Sequence, residues 1–235
     1  DAQNGINILT ADAVITNSGT ITGGQAGVAT NVQPATPTTP AQFVAFNATV
    51  NNSGAITGTN NAGIRLTGGG TVDNSGSISG LGGDGIYVGT MATGTTTINN
   101  AEDGTITGAA SGIHAELGGL DLTNAGTIHG DGLNPGFDAP PDAGVTISGG
   151  PSSVTNSGTI TGNRFGITTA NYFNPATGQL QGLATGTTVV NSGTIYGYGD
   201  DGVRLIGGGS VTNSGEIGGQ IEPLADGVWM FPFTR

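Results

Sequence analysis

Apolar residues along this chain stand in a fixed relation to asparagine and glycine. The phrase ITNSGTITG, Ile15 to Gly23, returns as VNNSGAITG from Val50, VDNSGSISG from Val72, LTNAGTIHG from Leu122 and VTNSGTITG from Val154. It returns again as VVNSGTIYG from Val189 and VTNSGEIGG from Val211, and as INNAEDGTITG, longer by two residues, from Ile98. In every copy an apolar residue is followed two positions later by Asn, then by a bend that ends in Gly, then by an Ile two positions after that Gly, then by a further Gly two positions on. A spacer follows, and after it a Gly with Val or Ile: Gly27-Val28, Gly63-Ile64, Gly85-Ile86, Gly112-Ile113, Gly144-Val145, Gly166-Ile167, Gly202-Val203 and Gly227-Val228. Leu66, Val88, Ile147, Leu205 and Met230 add an apolar side chain two residues further on. Apolar residues at i and i+2 around a polar one describe a strand with one buried face. Each unit therefore predicts three short strands joined by Gly-rich bends, and no segment holds a helical period.

The copies start at 15, 50, 72, 98, 122, 154, 189 and 211. The shortest interval, 22 residues between positions 50 and 72, suits one turn of a three-sided parallel β-helix. The expected fold is thus all-β: a right-handed single-stranded parallel β-helix of about eight coils, spanning 1–235 as one domain in which each coil packs on its neighbours. At ~4.8 Å per parallel strand the rod is on the order of 35–40 Å long. Three insertions interrupt it at 30–48, 131–143 and 170–186. The first and third leave after the third strand of a coil, the second from a different corner. Loops on a rigid scaffold commonly carry recognition, and Tyr172 and Phe173 in the third are candidates for it.

The column Asn17, Asn52, Asn74, Asn100, Asn124, Asn156, Asn191 and Asn213 predicts a side-chain amide ladder of the kind stacked asparagines form in cross-β assemblies. An amide has no acid–base chemistry near neutral pH, so the column reads as scaffold.

Composition narrows the partners. The chain has 47 Gly and 10 Pro in 235 residues, only 9% charged residues and a net charge of −12. There is no lysine, and Arg65, Arg164, Arg204 and Arg235 are the only cations apart from histidine. Nucleic acid and anionic membrane both require clustered cations and are not expected partners. Cysteine is absent, which excludes disulfides and thiolate metal sites. No apolar run reaches the ~18 residues of a membrane helix, so direct membrane insertion by this segment is not expected. The chain begins at Asp1 without Met, which reads as a processed product or a fragment.

With NSGTITG recurring between Gly-Ile and Gly-Val strands, the chain resembles the passenger domain of bacterial autotransporters, the type V secreted proteins. The resemblance covers roughly Ile15 to Met230. It implies a β-helix exported to the surface of a Gram-negative cell, with adhesion or aggregation among its functions, and a translocator barrel beyond Arg235.

Candidate chemistry lies where the copies differ. The outward position of the third strand reads Arg65, Tyr87 and His114 in successive coils, then Thr146, Thr168, Arg204 and Trp229, set on an otherwise solvated sheet face. Tyr and Arg in a row suit a glycan or a cell-surface protein through stacking and charge-assisted hydrogen bonds. Asp201 and Asp226 precede the ladder glycine in the last two coils, with Asp200 and Glu222 near, a grouping that calcium could bridge; Asp84 takes the same place without such a neighbour. His114 and His129 sit on different strands, and no Ser-His-Asp or paired-carboxylate geometry is suggested. The expectation is a non-catalytic extracellular adhesin or aggregation module. The alternatives are a filament or surface-layer subunit built by end-to-end stacking of β-helices, and a polysaccharide-processing enzyme on the same fold.

Overall fold

The computed structural model describes residues 3–30, 45–89, 92, 94–132, 143–170 and 184–219. It also gives the backbone of the strands Val32–Gln33, Gln42–Phe43, Tyr172–Asn174, Gln179–Gln181 and Val228–Met230. The chain winds through three parallel sheets in strict sequence order, one strand per sheet in each coil, which is a parallel β-helix. The first sheet has eight strands, from Val14–Asn17 to Gly209–Asn213, and the second has eight, from Thr20–Gly23 to Glu216–Gly219. The third has nine, because a strand at Ile6–Ile8 pairs with Val28–Thr30 ahead of the first repeated phrase. Gly5-Ile6 carries the same Gly-Ile signal as the later coils but lacks the phrase before it. Among the described residues no helix is long and apolar enough to cross a membrane.

Like stacks on like. Ile15 pairs with Val50, Val50 with Val72 and Val72 with Ile98, and the column continues to Val211. Ile21, Ile56, Ile78 and Ile106 do the same in the second sheet, as do Val28, Ile64, Ile86 and Ile113 in the third. These columns form one continuous apolar core, which Ala115, Leu120 and Leu66 join, while Ile15, Ile21, Val211 and Ile217 at its two ends are only partly buried. Burial of apolar surface is the main force holding coil on coil, and the one-residue specificity of the inward face fixes the register.

Two threonines occupy inward places without satisfying their hydroxyls. Thr96 and Thr187 are fully buried, and their Oγ1 atoms have no hydrogen-bond partner among the described residues. A buried unmet hydroxyl costs about 1–3 kcal/mol, and valine has nearly the same shape. Thr96→Val is therefore expected to stabilise the protein by about 1 kcal/mol, read as a higher urea midpoint; an unchanged or lower midpoint would show that the hydroxyl is satisfied.

Two insertions contain regular structure that the sequence pattern did not announce. After the third strand of the first coil, Val32–Gln33 and Gln42–Phe43 pair antiparallel. Five strands further along the same sheet, Tyr172–Asn174 and Gln179–Gln181 do likewise. Both hairpins thus leave from the same corner of the helix, about five coil spacings (~24 Å) apart.

Candidate functional site

The bend after each first strand is held by the asparagine column. Each Nδ2 donates to the Oδ1 of the Asn in the next coil at 2.7–2.8 Å, without a break from Asn17 to Asn213. The same Nδ2 reaches a carbonyl of its own bend and one of the coil above, as Asn124 does to Gly126 at 3.2 Å and Thr159 at 3.3 Å. Six of the eight amides are 2% exposed or less. From Asn52 to Asn191 both amide atoms of every member are committed to the ladder. An open groove of about 420 Å³ runs beside this bend, bordered by Thr16, Asn51, Asp73, Asn99 and Thr123.

The third sheet is different. Arg65, Tyr87 and His114 are register partners on Ile64–Leu66, Ile86–Val88 and Ile113–Ala115. The Arg65 guanidinium carbon stands 5.9 Å from the centroid of the Tyr87 ring, and His114 meets the same ring edge-on at 5.5 Å. Tyr87 donates its hydroxyl to Glu116 Oε2 in the next coil. His114 Nδ1 faces Asp84 Oδ2 at 3.5 Å, and Asp84 Oδ1 accepts the Ser111 N–H at 3.0 Å. His114 Nε2 has no hydrogen-bond partner among the described residues. Arg65, Asp84, Tyr87 and His114 line a cavity of about 420 Å³ together with Asn60, Asn61, Gly82, Gly83 and Ala110.

This arrangement revises one expectation. The outward column is not a solvated face: His114 is 7% exposed, and Thr146 and Thr168 are fully buried. Asp84 binds the N–H of Ser111, which takes the same place in the next coil, and faces His114 diagonally. Stacking of like residues predicts partners straight up and down the column, so it misses diagonal contacts made by longer side chains. Glu116 was missed for the same reason, since it lies beyond the strand and is reached only by the length of Tyr87. With Arg65 on one side and His114 on the other, Tyr87 holds its neighbours in place rather than offering an open stacking platform.

Burial, and after it the hydrogen bond to Glu116 and that carboxylate's charge, push the Tyr87 phenol well above the ordinary tyrosine range, against a smaller opposing pull from Arg65. The folded state therefore holds this proton more tightly than the unfolded chain. The resulting stability is complete below the unfolded value near 10 and is lost as pH rises beyond it. Tyr87→Phe should flatten the alkaline decline in melting temperature. At neutral pH it should cost about 1–3 kcal/mol, because Glu116, 8% exposed, loses its donor. An alkaline profile identical to wild type would show that the phenol is not held in this way.

The other candidates are dispersed. Arg204 pairs in register with Thr168 and lies over the buried Phe165 ring, 5.0 Å from its centroid, with Arg164 at 4.8 Å. Trp229 is on Val228–Met230 opposite Arg204, and Tyr172 and Phe173 are on the second hairpin; the side chains of these three lie outside the described residues. Asp226 and Glu222 lie outside them entirely. Asp200 faces Arg164 at 3.4 Å and Asp201 is buried. Among the described residues no three His, Asp or Glu side chains converge as a metal set. His129, on the second sheet, bonds Thr161 at 2.8 Å and Asp131 at 2.9 Å, away from His114.

The chain matches no family model, no curated protein and no solved structure.

Proposed function

We propose that this protein is an extracellular module of a Gram-negative cell surface, of the autotransporter-passenger kind, which adheres to a cell-surface glycan or protein without acting on it chemically. The observation that carries the reading is the cavity on the third sheet, where Arg65, Tyr87 and His114 converge from three successive coils beside Asn60 and Asn61. A concave site with a few fixed polar groups is where a small ligand or a sugar terminus binds. Two of its groups are already committed within the protein, Tyr87 to Glu116 and Asp84 to Ser111, which suits holding a ligand better than moving its protons. Arg65→Ala and Tyr87→Ala should each weaken attachment of protein-coated beads to cells or to an immobilised glycan panel by about tenfold, while His129→Ala leaves it unchanged. Attachment that survives both substitutions would remove this face from the reading.

A second reading, a filament or surface-layer subunit, draws on the partly buried core residues Ile15 and Ile21 at one end and Val211 and Ile217 at the other. Apolar columns that stop short of full burial are completed by another stacked coil. Mass measured by light scattering over a wide concentration range tests it: end-to-end growth with concentration favours the filament, and a constant monomer mass counts against it.

A further inference from the structure

We infer that the cavity at Arg65 recognises an acidic sugar, with the ligand's carboxylate on the Arg65 guanidinium. This rests on the adhesive reading above and specifies its ligand.

The starting point is charge. The chain carries 16 Asp and Glu against four Arg, so an arginine has no shortage of internal partners. Arg164 takes one, Asp200 at 3.4 Å. Arg65 takes none: among the described residues no carboxylate lies within ion-pair distance of it, and its guanidinium is placed only over the Tyr87 ring. The acid that shares its cavity is occupied elsewhere, since Asp84 accepts the Ser111 N–H through Oδ1 and faces His114 Nδ1 through Oδ2. The other nearby acid, Glu116, accepts the Tyr87 hydroxyl. Arg65 is thus the uncommitted charge at the cavity, and its planar fork fits a carboxylate in two parallel hydrogen bonds.

The neighbouring groups indicate a sugar rather than a bare anion. Asn60 spends its Nδ2 on Gly24 O at 2.6 Å, which leaves its Oδ1 as an acceptor. Asn61 spends its Oδ1 on the Ala62 N–H at 2.8 Å, which leaves its Nδ2 as a donor. An acceptor and a donor from consecutive residues at the rim match hydroxyls on adjacent ring carbons, each of which both donates and accepts. The volume of about 420 Å³ lies within the range of small-ligand sites. Because the protein as a whole is strongly anionic, non-specific attraction of an acidic ligand is not expected.

The test is calorimetric titration of the whole chain with three probes: a galacturonic acid oligosaccharide, the same oligosaccharide as its methyl ester, and inorganic sulfate. The expected result is that the acid binds at least about tenfold more tightly than the ester and that sulfate binds weakly. Arg65→Gln should bring the acid down to the level of the ester. Arg65→Lys should restore only part of the difference, because an ammonium cannot form the paired bonds. A melting temperature within experimental error of wild type for both variants confirms that they are folded. Equal binding of acid and ester by the wild type would overturn the acidic specificity while leaving glycan adhesion standing. Sulfate bound as tightly as the acid would make this an anion site with no sugar selectivity. Failure to bind either oligosaccharide would count against both this inference and the glycan reading beneath it.

Discussion

Replacing Asn124 with Ala should destabilise the protein by about 3–4 kcal/mol, whereas the same change at Asn213 should cost about 1 kcal/mol or less. Asn124 is fully buried and takes part in four hydrogen bonds: its Oδ1 accepts from Asn100 at 2.8 Å, and its Nδ2 donates to Asn156 at 2.7 Å, Gly126 and Thr159. Alanine would leave the Asn156 Oδ1 and the Asn100 Nδ2 without their partner and withdraw Nδ2 from two carbonyls. Asn213 ends the ladder, is exposed, and donates only to the Gly215 carbonyl at 3.1 Å. Urea midpoints of the two variants check the gradient. Equal losses at both positions would mean that the amides contribute as isolated bend residues and not as a buried chain.

A comparable gradient should appear in the bend glycines, with a larger loss than at the asparagines. Gly126→Ala is expected to cost more than about 3 kcal/mol or to prevent folding. A Cβ on Gly126 would overlap the carbonyl oxygens of Gly104 and Ala101 in the coil beneath. Gly54, Gly76, Gly158, Gly193 and Gly215 stand in the same column and meet a backbone oxygen in the same way. Gly19, in the first coil, would meet nothing within 4 Å, so Gly19→Ala should be nearly neutral. The requirement comes from the approach of the neighbouring coil and not from φ, which is not positive at either position. Soluble yield and thermal unfolding of the two variants measure it; a tolerated Gly126→Ala would show that the coils can separate locally at low cost.

The scaffold was readable because stacking converts a sequence column into a spatial column. Once ITNSGTITG is aligned eight times, the pairs Ile15 with Val50 and Ile21 with Ile56 follow without further information. The strand at Ile6–Ile8 was not read, since a single Gly-Ile without the preceding phrase carries too little pattern. The hairpins in the insertions were not read either: Val32 against Phe43 and Phe173 against Leu180 pair within one loop and repeat nowhere else. In the site, Arg65, Tyr87 and His114 were visible because they share a column. Glu116 and the contact of Asp84 to His114 were not, because they cross from one column to another and depend on side-chain length.

The asparagine ladder also gives the rod a direction. Every amide nitrogen points toward the coil that follows it and every amide oxygen toward the coil that precedes it, so the small dipoles add along one axis. Among the described residues the ladder begins with the Asn17 Oδ1, which accepts only from Gly19 N–H, and ends with the Asn213 Nδ2, which donates only to the Gly215 carbonyl. A coil added at either end has to continue the same vector, and two rods meeting by a twofold axis would set nitrogen against nitrogen or oxygen against oxygen. Any coil stacked along this ladder is therefore joined head to tail.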